Sequence, residues 1–172
     1  MATGLLVLRI AVGVLFAAHG AQKLFGWFGG YGLQGTGGFF ESMGFRPGAV
    51  MAFVAGTSEL AGGLGIAAGL LTPLAAAAVI GVMLNAIATA KRTAPIIGGK
   101  ELDLLYAGAA TALAFTGAGA YSLDRVIGWS LAGWHYGVGA LALAVVVGAL
   151  SLASRRRGAP QAAEAPTQAR AA

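Results

Sequence analysis

Long apolar stretches alternate with short polar connections along the chain, and this pattern predicts its elements. Five stretches have the length of a helix that crosses a bilayer, whose hydrocarbon core of about 30 Å needs about 17–25 helical residues. They cover residues 5–25, 50–71, 74–90, 102–118 and 131–152. The pattern therefore predicts an all-α membrane protein with a four-helix transmembrane core and a fifth, C-terminal transmembrane helix.

The first connection, residues 26–48, is rich in glycine and aromatic residues and is too polar and too broken to cross a bilayer. Aromatic rings accumulate at the boundary between membrane and water. Thr36 is predicted to cap a short helix, which Gly44 ends and Pro47 follows. We therefore expect a short interfacial helix that lies over one mouth of the bundle.

The same pattern divides the chain into three parts. Residues 1–128 form the predicted four-helix core, which includes the interfacial segment 26–48, and residues 129–153 add the further transmembrane helix. Residues 154–172 are a basic tail rich in alanine and proline. Because this tail has too few apolar residues to build a core, we expect it to be disordered.

Small residues in the second apolar stretch predict where helices approach one another. Ala61, Gly65 and Gly69 recur every fourth residue and would form a ridge that admits a neighbouring helix closely. Thr72 and Pro73 then have the residue types of an N-cap and a first helical position. The second and third helices are therefore predicted to form an antiparallel hairpin.

Composition and charge agree with a membrane protein. Of the 172 residues, 58% are hydrophobic and 10% are charged, whereas a soluble domain has about 25% charged residues. The net charge of +5 comes from basic residues between the apolar stretches and in the tail, which is typical of the positive-inside rule rather than of nucleic-acid binding. The distribution favours an N-terminus outside and a C-terminus inside. Because no cysteine is present, disulfides and thiolate metal sites are excluded.

The first apolar stretch carries four polar side chains that lipid does not favour: Arg9, His19, Gln22 and Lys23. Each ionisable group costs about 2.5–3.5 kcal/mol at the middle of a bilayer on an insertion scale. Arg9 and Lys23 lie near opposite ends of the stretch, so they either snorkel to the two interfaces or face the protein interior. His19 and Gln22 are too short to snorkel, and we expect His19 to face the interior of the bundle.

Polar residues of the other helices are predicted to lie at a similar depth. Antiparallel packing brings the end of the first helix level with the start of the second, the end of the third and the start of the fourth. The expected polar cluster consists of His19, Gln22, Lys23, Glu59, Asn85, Asp103 and Tyr106, and it is either a ligand site or a structural lock. A buried Glu59 needs a proton or a cation, for which His19 and Lys23 are the nearest candidates. We expect Glu59→Leu to abolish function or folding.

Five segments of the chain resemble the DoxX family of small bacterial membrane proteins, and the resemblance covers about residues 5–128. They read LRIAVGVLFAAHGAQKLFG, GTGGFFESMGF, SELAGGLGIAAGLLTPLAAAAVIGVMLNAIAT, ELDLLYAGAATALAF and YSLD. The resemblance implies a four-helix core in the bacterial inner membrane and kinship with the membrane subunit of an archaeal thiosulfate:quinone oxidoreductase. It also implies a role in sulfur or oxidative-stress redox metabolism. His19, Gln22, Lys23 and Glu59 match the recurrent polar residues of the family, whereas the fifth helix and the tail are additions to the shared core.

Three functions are compatible with these features. The first is a redox-associated subunit that binds a quinone, whose carbonyl would accept a hydrogen bond from His19 or Lys23 while Glu59 relays a proton. The second is a non-catalytic membrane anchor or assembly factor for a redox complex. The third, which the lack of internal repeats disfavours, is a transporter of small solutes or protons.

The expected partners follow from these hypotheses. They are the lipid bilayer and either a soluble oxidoreductase or a membrane partner subunit, with no nucleic acid. We expect no intrinsic cofactor other than a bound quinone and no metal site, because His19 and His135 lie in separate helices. Whether the chain is itself an enzyme, and whether it forms an oligomer, stays open at the level of sequence.

Overall fold

The computed structural model describes residues 2–89 and 99–155, and within these ranges the regular structure is entirely helical. The helices are α1 (Ala2–Phe25), α2 (Gly32–Ser42), α3 (Gly48–Ala68), α4 (Thr72–Thr89), α5 (Glu101–Thr116), α6 (Leu123–Val126) and α7 (Trp134–Ala153), with a 3₁₀ turn at Trp27–Gly29. The all-helical fold class is confirmed. The predicted C-terminal part of the tail, 156–172, and the predicted end of the third span at residue 90 lie outside the described residues.

In the described part of the chain, four helices are long and apolar enough to cross a membrane: α1, α3, α4 and α7. The C-terminal helix α7 is therefore one of them. Helix α5 has 16 residues, so it is about 24 Å long and shorter than a bilayer core of about 30 Å. It packs against α4 and α7, which also pack against each other.

Helices α1 and α3 form the most extensive interface of the bundle. Glycines make this approach close: a Cβ on Gly13 would lie 2.5 Å from the backbone nitrogen of Ala67, and a Cβ on Gly20 would lie 2.7 Å from the carbonyl oxygen of Gly56. The close backbone contacts of α3 with α1 are thus made at residues such as Gly56 and Ala67, which are not members of the predicted ridge. Of its members, Gly65 faces Ala75 of α4, and the other two are treated next.

The remaining ridge residues have different roles. Ala61 is exposed. Gly69 ends α3 in the left-handed conformation, with φ 66° and ψ 46°, which glycine adopts without steric cost. The turn that follows leads directly into α4, so the predicted antiparallel hairpin of α3 and α4 is confirmed.

The segment between α1 and α3 contains the predicted short helix, but its start differs from the prediction. Helix α2 begins at Gly32, so Thr36 lies inside it with 7% of its surface exposed and is not its cap. Gly44 follows the helix end with φ 93°, as expected for a glycine that stops a helix. The carboxylate of Glu41 accepts a hydrogen bond from the backbone nitrogen of Gly48 at 3.0 Å and so caps the start of α3.

Candidate functional site

The buried carboxylate of α3 is paired with the cation of α1. Lys23 Nζ lies 2.5 Å from Glu59 Oε2, and the side chains are 26% and 3% exposed, respectively. The pair forms because α1 ends and α3 begins at the same end of the bundle, where Gly20 and Gly56 allow the two backbones to approach. Of the two candidate partners for Glu59, the structure places Lys23 in contact with it. This bond uses one of the three N–H donors of the Lys23 ammonium, whose side chain is partly exposed.

His19 occupies a different place from the one expected. It is exposed at the side of α1 rather than enclosed by the bundle, which corrects the sequence-based expectation. Its Nδ1 lies 3.0 Å from Oε1 of Gln22, and Nε2 of Gln22 donates a hydrogen bond to the carbonyl oxygen of Phe28 at 3.2 Å. Phe28 has φ 53° and ψ 35°, an uncommon conformation for a residue with a side chain. The loop after α1 thus orients the imidazole through Gln22.

His19, Gln22 and Phe28 form a surface patch, called the His19 surface below, and an aromatic side chain of α5 completes it. Tyr106 meets His19 edge to face, with ring centroids 6.4 Å apart, and it meets Phe16 in a similar arrangement at 5.4 Å. Phe16 is only 1% exposed and belongs to the hydrophobic core. The imidazole therefore lies at the rim of the α1–α5 contact, with packed aromatic rings on one side and open surface on the other.

Two further predicted members of the polar cluster are Asn85 of α4 and Asp103 of α5. Asn85 donates from Nδ2 to the carbonyl oxygen of Gly81 at 2.9 Å, and a Cβ on Gly148 would lie 3.4 Å from the same nitrogen. Asn85 thus faces α7 rather than the Lys23–Glu59 pair. Asp103 is 8% exposed in the first turn of α5, beside the part of the chain that is not described.

A second buried polar group lies at the opposite end of the bundle, and the sequence analysis did not predict it. Asp124 is 3% exposed and accepts hydrogen bonds from the backbone nitrogens of Leu71 and Thr72, at 2.7 and 3.1 Å, and from Thr72 Oγ1 at 2.8 Å. It therefore caps the start of α4 from the short helix α6, which is distant in sequence. The signal available in the sequence was the YSLD segment, residues 121–124, which ends in this aspartate.

Arg9 belongs to this second group. Its surface is 1% exposed, it donates from Nη2 to the carbonyl oxygen of Tyr121, and the negative charge of Asp124 acts on it. Arg9 therefore faces the protein interior and does not snorkel to the membrane interface, which settles the two interpretations left open above. Gly69 packs directly against the guanidinium, where a side chain would collide with Nη1.

The aromatic residues of the connection after α1 lie beside the His19 surface. Trp27, Phe28 and Tyr31 are 59%, 72% and 86% exposed, so the bundle does not cover them.

Two surface depressions, of about 370 and 260 Å³, lie instead at the Asp124 end and are lined mainly by the connection between α5 and α7. The described residues contain no group of three His, Cys, Asp or Glu side chains that could hold a metal ion.

The comparisons with known proteins agree with this architecture. The DoxX family model matches residues 4–92, which contain α1 to α4. The chain is 35% identical over 124 residues to a protein of Bacillus subtilis (strain 168) named "Putative oxidoreductase CatD", a match that covers 72% of this chain and 87% of that protein. No solved structure matches the chain. With more than half of its length matched by the family model, this multi-pass membrane protein belongs to the DoxX family.

Proposed function

We propose that this chain is the membrane subunit of a redox system and that it binds the headgroup of a quinone beside His19. The observation that carries the proposal is the exposed imidazole on an apolar helix, one helical turn from the buried Lys23–Glu59 pair. A polar group at membrane depth marks a functional site, because lipid offers it no hydrogen bond. A quinone is soluble in the bilayer and could reach such a side chain laterally.

The redox part of the proposal is supported by the relative described above, whose name is that of an oxidoreductase. The chain has no cysteine. We therefore propose that the electrons come from a partner, either a soluble oxidoreductase or a second membrane subunit. Sulfur or oxidative-stress metabolism is the setting that the family resemblance suggests for this partner.

Glu59 has the position of a proton carrier in this scheme. Its carboxylate is buried, and its partner Lys23 is about one quarter exposed, so the pair connects the interior of the bundle with its surface. Buried carboxylates at membrane depth are common members of proton relays. A proton that accompanies reduction or oxidation of the headgroup would pass between His19 and this pair.

The test is binding of quinone and hydroquinone analogues to the purified protein in lipid nanodiscs. We expect saturable binding by the wild type. For the redox form that hydrogen-bonds to the imidazole, we expect a dissociation constant about 2–10-fold higher in His19→Ala, since a hydrogen bond contributes about 0.5–1.5 kcal/mol. His135→Ala is the matched control, because this second exposed histidine starts α7 at the other end of the bundle. Absence of binding by a folded wild-type protein would overturn the proposal.

A second function, a membrane anchor or assembly factor, is favoured by the exposed rings of Trp27, Phe28 and Tyr31. Exposed aromatic residues that lie together are common at protein interfaces. A photo-crosslinking residue in place of Tyr31 would then capture a redox partner, while the same residue in place of Val126, at the other end of the bundle, would not. Partner capture without quinone binding would favour this second function over the first.

We also propose that the protein lies in the bacterial inner membrane with its N-terminus outside. The support is the distribution of basic residues. Lys23, Arg46 and Arg155 lie at the end of the bundle that contains the His19 surface, and Arg9 and Arg125 lie at the other. An excess of positive charge at one end favours a cytoplasmic location for that end.

A further inference from the structure

The hydrogen bonds around His19 fix which of its ring nitrogens carries the proton. The carbonyl oxygen of Phe28 can only accept a hydrogen bond, so the Gln22 atom that lies 3.2 Å from it is the amide nitrogen. The orientation of the Gln22 amide is thereby assigned from its hydrogen-bond network. Its oxygen, Oε1, must then be the atom that faces His19.

The same argument extends one bond further. Gln22 Oε1 lies 3.0 Å from His19 Nδ1, and an amide oxygen can only accept. Nδ1 must therefore be the protonated nitrogen, which donates to Oε1. In the neutral imidazole only one nitrogen carries a proton, so Nε2 has a free lone pair.

That lone pair is open to a ligand. In residues 2–89 and 99–155, Nε2 of His19 has no hydrogen-bond partner, and the residue is exposed at the side of α1. The edge-to-face contact with Tyr106 limits rotation of the imidazole on one side. A ligand that reaches His19 from the membrane therefore meets a hydrogen-bond acceptor.

We infer that the site beside His19 selects a ring that carries a hydroxyl group, such as a reduced hydroquinone headgroup, over the oxidised quinone. A hydroquinone hydroxyl can donate to Nε2, whereas a quinone carbonyl offers only acceptors. This inference rests on the proposed function and reverses the sequence-based expectation that His19 donates to a quinone carbonyl. Gln22 is a positioning residue in this arrangement, because it acts on the ligand only through the imidazole.

The first arm of the test measures the proton position without any ligand. Nitrogen-15 NMR of histidine-labelled protein in nanodiscs, at a mildly alkaline pH, distinguishes Nδ1–H from Nε2–H. The chain has only two histidines, so His135→Gln assigns the signals. We expect Nδ1–H at His19 in the wild type and a shift toward Nε2–H in Gln22→Leu, which lacks the acceptor. Nε2–H at His19 in the wild type would overturn the inference.

The second arm compares three ligands that share one alkyl tail: a hydroquinone, its dimethyl ether and the corresponding quinone. We expect the wild type to bind the hydroquinone about 2–10-fold more tightly than either of the others. His19→Phe, which keeps an aromatic ring against Tyr106, should remove this difference, and His135→Phe should preserve it. Equal or tighter binding of the quinone or the ether overturns the inference but leaves the proposed function standing, whereas no binding of any of the three overturns both.

Discussion

Replacement of Gly20 by alanine tests the packing that brings the Lys23–Glu59 pair together. A Cβ at this position would lie 2.7 Å from the carbonyl oxygen of Gly56 and 2.8 Å from the Cα of Leu60. Carbon atoms in ordinary contact are about 3.5–4.0 Å apart, so α1 and α3 would have to separate by about 0.7–1.2 Å. Because the colliding atoms belong to the backbone, a change of side-chain rotamer cannot relieve the contact.

The expected loss of stability follows from two opposing contributions. Overpacking of a core costs about 1–3 kcal/mol, and a separation of this size also weakens the dispersion contacts along the interface. The higher helix propensity of alanine offsets this by about 0.5–1 kcal/mol. We therefore expect Gly20→Ala to lower the free energy of unfolding by up to about 2.5 kcal/mol.

The measurement is unfolding by SDS in mixed micelles, followed by tryptophan fluorescence. Gly139→Ala is the matched control, because Gly139 lies inside α7 and a Cβ there would meet nothing within 4 Å. This control should be unchanged or more stable by up to about 1 kcal/mol. Equal effects of the two substitutions, or a more stable Gly20→Ala protein, would refute the close approach of α1 and α3.

Three further predictions concern charge and topology. Asp124→Ala should destabilise the protein by about 3–5 kcal/mol in the same SDS assay, because a buried charge loses its partner and the start of α4 loses its cap. A loss below about 1 kcal/mol would show that this carboxylate is not the cap. Lys23→Met should destabilise the protein more than Glu59→Gln. The first variant leaves a carboxylate that is 3% exposed without a cation, whereas in the second variant Lys23, which is 26% exposed, can reach water. A larger loss of stability in Glu59→Gln than in Lys23→Met would contradict this prediction. Since the chain lacks cysteine, Tyr31→Cys and Val126→Cys can report orientation in whole cells: an impermeant maleimide should label only residue 126, and labelling of residue 31 alone would reverse the proposed topology.

The helices could be predicted from the sequence because long apolar stretches interrupted by glycine and proline have few alternatives in a membrane. The depth of the polar residues could be predicted for the same reason, which is why Lys23 and Glu59 were expected at one level. The rotation of each helix about its own axis could not be predicted from the sequence. Lipid and protein interior are both apolar, so hydrophobic periodicity does not distinguish the two faces of α1, and His19 was assigned to the interior although it is exposed.

Contacts between distant parts of the chain were also beyond the sequence pattern. Asp124 follows a glycine-rich connection with no helical periodicity, so nothing in its surroundings indicates that it reaches Thr72 of α4. The position of Asn85 illustrates the same difficulty, because its depth was predictable but its direction, toward Gly148 of α7, depends on how α7 packs. Both outcomes are set by tertiary packing rather than by local preference.

The hydrogen bond from Arg9 to Tyr121, in the connection between α5 and α6, has a consequence for biogenesis. Arg9 and Tyr121, whose carbonyl it binds, are 112 residues apart, which at about 5–20 residues per second is about 6–22 s of synthesis. Throughout that interval the first helix carries an arginine without its final partners, at a cost of up to about 2.5–3.5 kcal/mol if it is already in the bilayer. The buried guanidinium therefore gains its final hydrogen-bond partner only after the residues around Tyr121 have left the ribosome.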